Sequence, residues 1–175
     1  MDLPLASLYG LGGILARSLD VGVEIERKFL IRDESWRAIA GDGTHYHQGY
    51  LTTDPNRAVR VRLAGEKGYI TIKSKGDGIE RLEFEYEIPG EEASELLEKC
   101  ALQPTVAKKR YKIDFGKHTF EVDEFEGRNV GLLLVEVELE SAFEVFARPA
   151  WLGEEVTEDA RYFNQSLVEN PFDTW

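Results

Sequence analysis

A single cysteine, Cys100, stands in 175 residues. That excludes an internal disulfide and fits a reducing, cytoplasmic compartment. Histidines number three, and the pattern holds no Cys/His cluster of the kind that binds zinc. Basic residues are scarce beside acidic ones, 21 against 33, for a net charge of -12. A field of that sign repels nucleic acid and anionic membranes, so neither is expected as a partner. Long apolar runs are also missing. Residues 2–20 are moderately apolar, but they are interrupted and lack a basic start, which argues against a membrane span or an export signal. Residues 1–20 read as a poorly ordered arm or an upstream extension, and residues 21–175 as a single domain.

What remains is ordinary for a globular protein: 42% hydrophobic, 11% aromatic and 31% charged residues. Strand patterns separated by turn residues dominate, at 23–30, 45–51, 57–63, 69–75, 79–88, 105–114, 118–125 and 132–140. Short links such as Gly65-Glu66-Lys67-Gly68, Gly76-Asp77-Gly78 and Phe115-Gly116-Lys117 predict hairpins and antiparallel pairing. A helix over 91–100 follows Pro89-Gly90, with Ala93, Leu96, Leu97 and Cys100 along one buried face. Shorter turns are expected near 33–39 and 141–146, and a last helix over 158–168 with Thr157 as its N-cap.

The strands carry their charges at every second residue. Glu24, Glu26 and Lys28 share one face of the first strand, with Val23, Ile25 and Phe29 on the other. The pattern recurs with Arg60 and Arg62, with Thr71, Lys73 and Lys75, with Arg81, Glu83, Glu85 and Glu87, and with Lys108, Arg110 and Lys112. Glu121 and Asp123, then Glu136 and Glu138, complete it. Two arrangements satisfy this pattern. One is an open sheet with its charged face in water. The other is an eight-stranded antiparallel closed barrel, in an α+β but mainly β fold, with helices packed outside and a polar lumen. Segregation of acids and bases onto different strands favours the second. So do like charges two residues apart, which repel unless a cation sits between them. Carboxylates without sulfur or imidazole point to Mg²⁺ or Mn²⁺, and Arg and Lys rows suit a short polyphosphate.

These residues resemble the CYTH superfamily, the triphosphate tunnel metalloenzymes. The likeness runs from Glu24 to about Leu167. It is carried by E-I-E-R-K at Glu24 to Lys28, Q-G-Y-L at Gln48 to Leu51, V-R-V-R-L at Val59 to Leu63 and T-I-K at Thr71 to Lys73. It continues with R-L-E-F-E-Y-E-I-P at Arg81 to Pro89, K-K-R-Y at Lys108 to Tyr111, E-V-D at Glu121 to Asp123, E-V-E-L at Glu136 to Leu139 and T-E-D-A-R-Y-F-N at Thr157 to Asn164. The resemblance implies a tunnel that binds a triphosphate with divalent metal and cleaves a phosphoanhydride bond. It implies Glu24, Glu26, Glu136 and Glu138 as metal ligands, with Glu24 or Glu26 also handling the attacking water. Lys28, Arg60, Arg62, Lys73, Lys108 and Arg110 would bind the triphosphate. Glu83, Glu85 and Asp123 would be acidic tunnel residues that hold the basic ones or act through metal-bound water, and Arg161 would approach the phosphate from the closing helix.

The expected activity is metal-dependent hydrolysis of inorganic tripolyphosphate. Enzyme alternatives are a class IV type adenylate cyclase and a nucleoside or thiamine triphosphatase. An alternative of another class is a non-catalytic polyphosphate or nucleotide binding module. The sequence leaves a homodimer open and assigns no catalytic role to His45, His47 or His118.

Overall fold

A computed structural model describes residues 21–52, 54, 56–75 and 80–175. Its strands are β1 (Val21–Ile31), β2 (Thr44–Tyr50), β3 (Arg57–Ala64), β4 (Lys67–Ser74), β5 (Glu80–Pro89), β6 (Val106–Phe115), β7 (His118–Phe125), β8 (Leu133–Glu138) and β9 (Leu152–Glu155). Helix α1 spans Gly90–Lys99, and α2 is the single turn Ser166–Glu169. All pairings are antiparallel, in the order β5-β4-β3-β2-β6-β7-β8-β1-β9. Strand β1 is divided between neighbours: Val21–Ile25 face β5, and Glu26–Leu30 face β8. Among the described residues the sheet thus has nine strands where eight were expected. The extra one, β9, is four residues long and borders β1 at Phe29 and Ile31, beyond the reach of β5.

Turn chemistry sets the hairpins. Gly116, between β6 and β7, has φ 66°, a left-handed conformation that a side chain would resist. The predicted turn at 76–78 and the arm at 1–20 lie outside the described residues. Alternation then sorts the side chains. Ile25, Phe29, Phe120, Val122, Val135 and Val137 face outward into a core covered by Trp36, Trp151 and Leu152. Helix α1 covers the other side, with Ala93 and Leu97 on Val61, flanked by Leu63 and Ile88. Gly49 lets β2 pass this helix closely, since a Cβ there would lie 2.6 Å from that of Ala101.

A third apolar cluster occupies one end of the sheet's inner side: Tyr50, Val106, Phe125 and Leu134, capped by Val156, Leu167 and Val168. This cap corrects the expected final helix. The chain makes a short 3₁₀ turn at Ala160–Tyr162, then extends at Phe163 (ψ 133°) before α2. Breaking there lets Leu167 and Val168 reach the apolar end while Asn164 and Gln165 border the cavity. Thr157 is not the cap; its hydroxyl accepts from the Lys28 amide at 3.0 Å, and Asp159 caps the turn instead. Cys100 is exposed at the C-terminal end of α1 and not in the core. No described helix is long and apolar enough to cross a membrane.

Candidate functional site

The charged face of the sheet lines a cavity of ≈ 1450 Å³. All six predicted basic residues, Lys28, Arg60, Arg62, Lys73, Lys108 and Arg110, line it. So do Glu24, Glu26, Glu83, Glu85, Glu136 and Glu138. Strand alternation at every second residue is what converges them, because β1, β3, β4, β5, β6 and β8 all turn the charged face inward.

Near the apolar end the charges form a continuous network. Arg110 grips Asp123 with Nε on Oδ1 and Nη2 on Oδ2, both at 2.6 Å, and also donates to Glu121 and Glu136. Lys108 donates to Asp123, and Lys28 bridges Glu26 and Glu136. Asp123 is fully buried behind this layer and does not line the cavity. Burial opposes charge on Lys28 and Arg110, but the carboxylates outweigh it, and both are held above their usual ranges. Burial likewise opposes charge on Glu136, and Lys28, Arg110 and Lys108 overcome it, holding its carboxyl well below the usual range. Lys108 goes the other way: burial, then the neighbouring Arg110 charge, depress it despite Asp123.

On the other side, Lys73 sits 2.7 Å from both Glu24 and Glu83. Arg62 Nη2 bonds the Glu85 oxygens at 2.8 and 2.9 Å, while Thr71 accepts from Arg60 and donates to Glu85. Burial and the nearby Arg60 charge lower Arg62. Glu138 differs from the other cavity-lining acids of the strands, Glu24, Glu26, Glu83, Glu85, Glu121 and Glu136, each of which meets a cation. It has neither an ion pair nor a side-chain hydrogen bond among the described residues. Burial and the charges of Glu24, Glu83, Glu121 and Glu26 push its carboxyl up.

The sequence argument that carboxylates two residues apart need a cation between them is only partly met: side-chain cations meet Glu24, Glu26, Glu85, Glu87 and Glu136, and among the described residues Glu138 meets none. Among the described residues, no three acids or imidazoles converge on one metal-binding point. The donor chemistry nevertheless fits a hard divalent cation: oxygens only, with surplus negative charge concentrated around Glu138.

Arg161 is not brought to the cavity. It is exposed, bonded to Asp159 at 2.6 Å, with the rings of Tyr162 and Trp175 beside it. Lys112 borders the opening, with Glu121 at 3.0 Å, whereas Lys75 and Glu87 do not line it. His118 also borders the opening, 2.7 Å from Glu144, while His47 and His45 lie on Thr105 and Glu126. Residues not singled out from the sequence include Tyr46, whose ring lies 5.4 Å from the guanidiniums of both Arg62 and Arg110. Its spacing from Gln48 and Tyr50 was the available signal, but alternation alone does not say which face is inward. Asn164, Gln165 and Glu169 enter from the cap, and no periodic pattern marks them.

The CYTH domain model matches residues 22–170. An inorganic triphosphatase of Acetivibrio thermocellus is 47% identical over 87% of this chain and 97% of its own length. An inorganic triphosphatase of Nitrosomonas europaea is 41% identical over 83% of this chain and 96% of its own. A crystal structure of an inorganic triphosphatase superposes with TM-score 0.58 at 37% identity, covering 83% of this chain and 93% of that one.

Proposed function

The chain belongs to the CYTH domain family, and we propose that it hydrolyses inorganic triphosphate to pyrophosphate and phosphate in the polar cavity. One observation carries this reading: six buried or half-buried cations and the acidic set line one cavity together. A site for binding an anion alone has no use for Glu138, whose charge no side-chain cation balances among the described residues and which raises the cost of binding an anion. The pairing of β1 with both β5 and β8 supports an eight-stranded closed tunnel, with β9 an appendage.

Triphosphate enters as a competing anion. It takes Arg62 from Glu85 and Lys73 from Glu24 and Glu83, and Arg60 is held toward the same lumen by Thr71. Arg meets phosphoryl oxygens through paired hydrogen bonds, Lys as a point charge. Lys28, Lys108 and Arg110, fixed by Asp123 and Glu136, form the rigid part of the basic wall. Glu24, freed as Lys73 turns to phosphate, or Glu26 beside Lys28 orients the water and takes its proton. The water oxygen bonds to the terminal phosphorus, the bridging P–O bond breaks, and pyrophosphate leaves with the bond electrons. Phosphoryl transfer of this kind depends on positioning and charge stabilisation more than on covalent help.

Glu24, Glu26, Glu136 and Glu138 would hold a divalent cation, Mg²⁺ or Mn²⁺ by the hardness of the donors. When bound, such an ion lowers the pKa of water and neutralises developing phosphoryl charge. The test is phosphate release from tripolyphosphate, ATP and thiamine triphosphate with each metal. Tripolyphosphate is expected to be the best substrate. No release from it with either metal would sink the proposal, and preference for a nucleotide would redirect it.

A further inference from the structure

Gln48, on β2, is 1% exposed, and among the described residues neither its Nε2 nor its Oε1 has a hydrogen-bond partner. A buried amide with both ends unpaired is costly and calls for a reason. Its position supplies one. Tyr46 and Tyr50, two residues to either side, line the cavity, so Gln48 belongs to the lumen face of the strand. In the β2–β3 ladder it is the direct partner of Arg62, which places the two Cβ atoms about 5 Å apart. Arg62 Nε is also buried and without a partner among the described residues, because the guanidinium is turned toward Glu85 through Nη2. An unpaired acceptor and an unpaired N–H donor thus stand on facing positions.

We propose that Gln48 is a positioning residue for Arg62. When triphosphate displaces Glu85, the guanidinium turns so that Nε–H donates to Gln48 Oε1 and both Nη groups face phosphoryl oxygens. In the ligand-free protein the pair stays unmade, and the charge of Glu85 holds Arg62 in its resting place. This rests on the reading of Arg62 as a triphosphate-binding residue.

A double-mutant cycle tests it. Gln48→Leu should raise KM for tripolyphosphate about tenfold, with a smaller change in kcat. Added to Arg62→Ala, the same substitution should change KM by less than about twofold, since its target is gone. Additive effects would overturn the proposal. The ligand-free Tm of Gln48→Leu should equal or exceed that of the wild type, because two unpaired polar atoms leave the interior. A lower Tm in both this variant and Gln48→Met would mark a structural carboxamide and also overturn it. Gln48→Met, of similar length but without an acceptor, should repeat the KM result if the leucine variant folds poorly. If the wild type releases no phosphate from tripolyphosphate, the reaction assignment fails separately. The cycle is then read from the Tm increase that tripolyphosphate causes, with the same non-additivity expected and additivity again fatal.

Discussion

Around Asp123 the cavity wall alternates cation and anion without a gap: Lys108 and Arg110 on Asp123, Arg110 on Glu136, Lys28 between Glu136 and Glu26. Around Glu138 the neighbours are Glu24, Glu26, Glu83 and Glu121, and the carboxyl is pushed up. The two regions use the same residue types on the same inner face. Their difference is local charge balance. The first is satisfied by the protein itself, so its charges serve stability and preorganisation. Among the described residues the second has no cation on Glu138, and such a carboxylate near neutral pH is what a cation ligand relieves.

The comparison is broken most severely by removing the centre of the balanced region. Asp123→Ala leaves Lys108 and Arg110 buried with less compensation and should cost about 3–5 kcal/mol of stability, read from denaturant unfolding. A loss as small as that of a surface substitution would show that the network carries little. Next comes the surplus region: Glu138→Gln should lower metal-dependent kcat by about 100-fold, the size seen when one group stabilising transition-state charge is lost, while circular dichroism stays unchanged. Wild-type turnover would remove Glu138 from the metal set. Arg62→Ala should raise KM for tripolyphosphate by at least about tenfold, and an unchanged KM would move Arg62 out of the site.

A finer contrast comes from pH. The folded-state pKa of Glu138 is raised, so its ionisation opposes folding, and any relative stabilisation is present at low pH and lost as pH rises through that pKa. Glu138→Gln should therefore raise Tm at pH 7 and lose that advantage below the unfolded carboxyl range, around pH 4.5. Glu136 has the opposite sign: its folded-state pKa is depressed, so its contribution is present at neutral pH and lost on acidification. Glu136→Gln should accordingly lower Tm at pH 7. Equal behaviour of the two variants across pH would erase the distinction between the regions. The smallest effect is expected at Arg161, which lies outside the cavity on Asp159. Arg161→Ala should leave KM and kcat near wild type, and a large loss would mean that the cap moves in to reach substrate.

The alternation of charged and apolar residues, together with short glycine-bearing turns, was enough to read antiparallel strands and the inner face of most of them. It also grouped Glu24, Glu26 and Lys28 with Arg60, Arg62, Lys73, Lys108 and Arg110, because a period of two is a local property of the chain. Tyr46, Gln48 and Tyr50 carry no such signal, since tyrosine and glutamine suit either face. The broken final helix was not legible because its stops depend on Leu167 and Val168 reaching an apolar floor made by distant strands. Sequence therefore determined which side chains are charged, how they alternate and which family the motifs resemble. Tertiary structure alone decided who neutralises whom: Lys28 with Glu136, Arg110 with Asp123, and no cation for Glu138 among the described residues. Electrostatic pairing falls off with distance through space, and that distance is set by strand register, not by position along the chain.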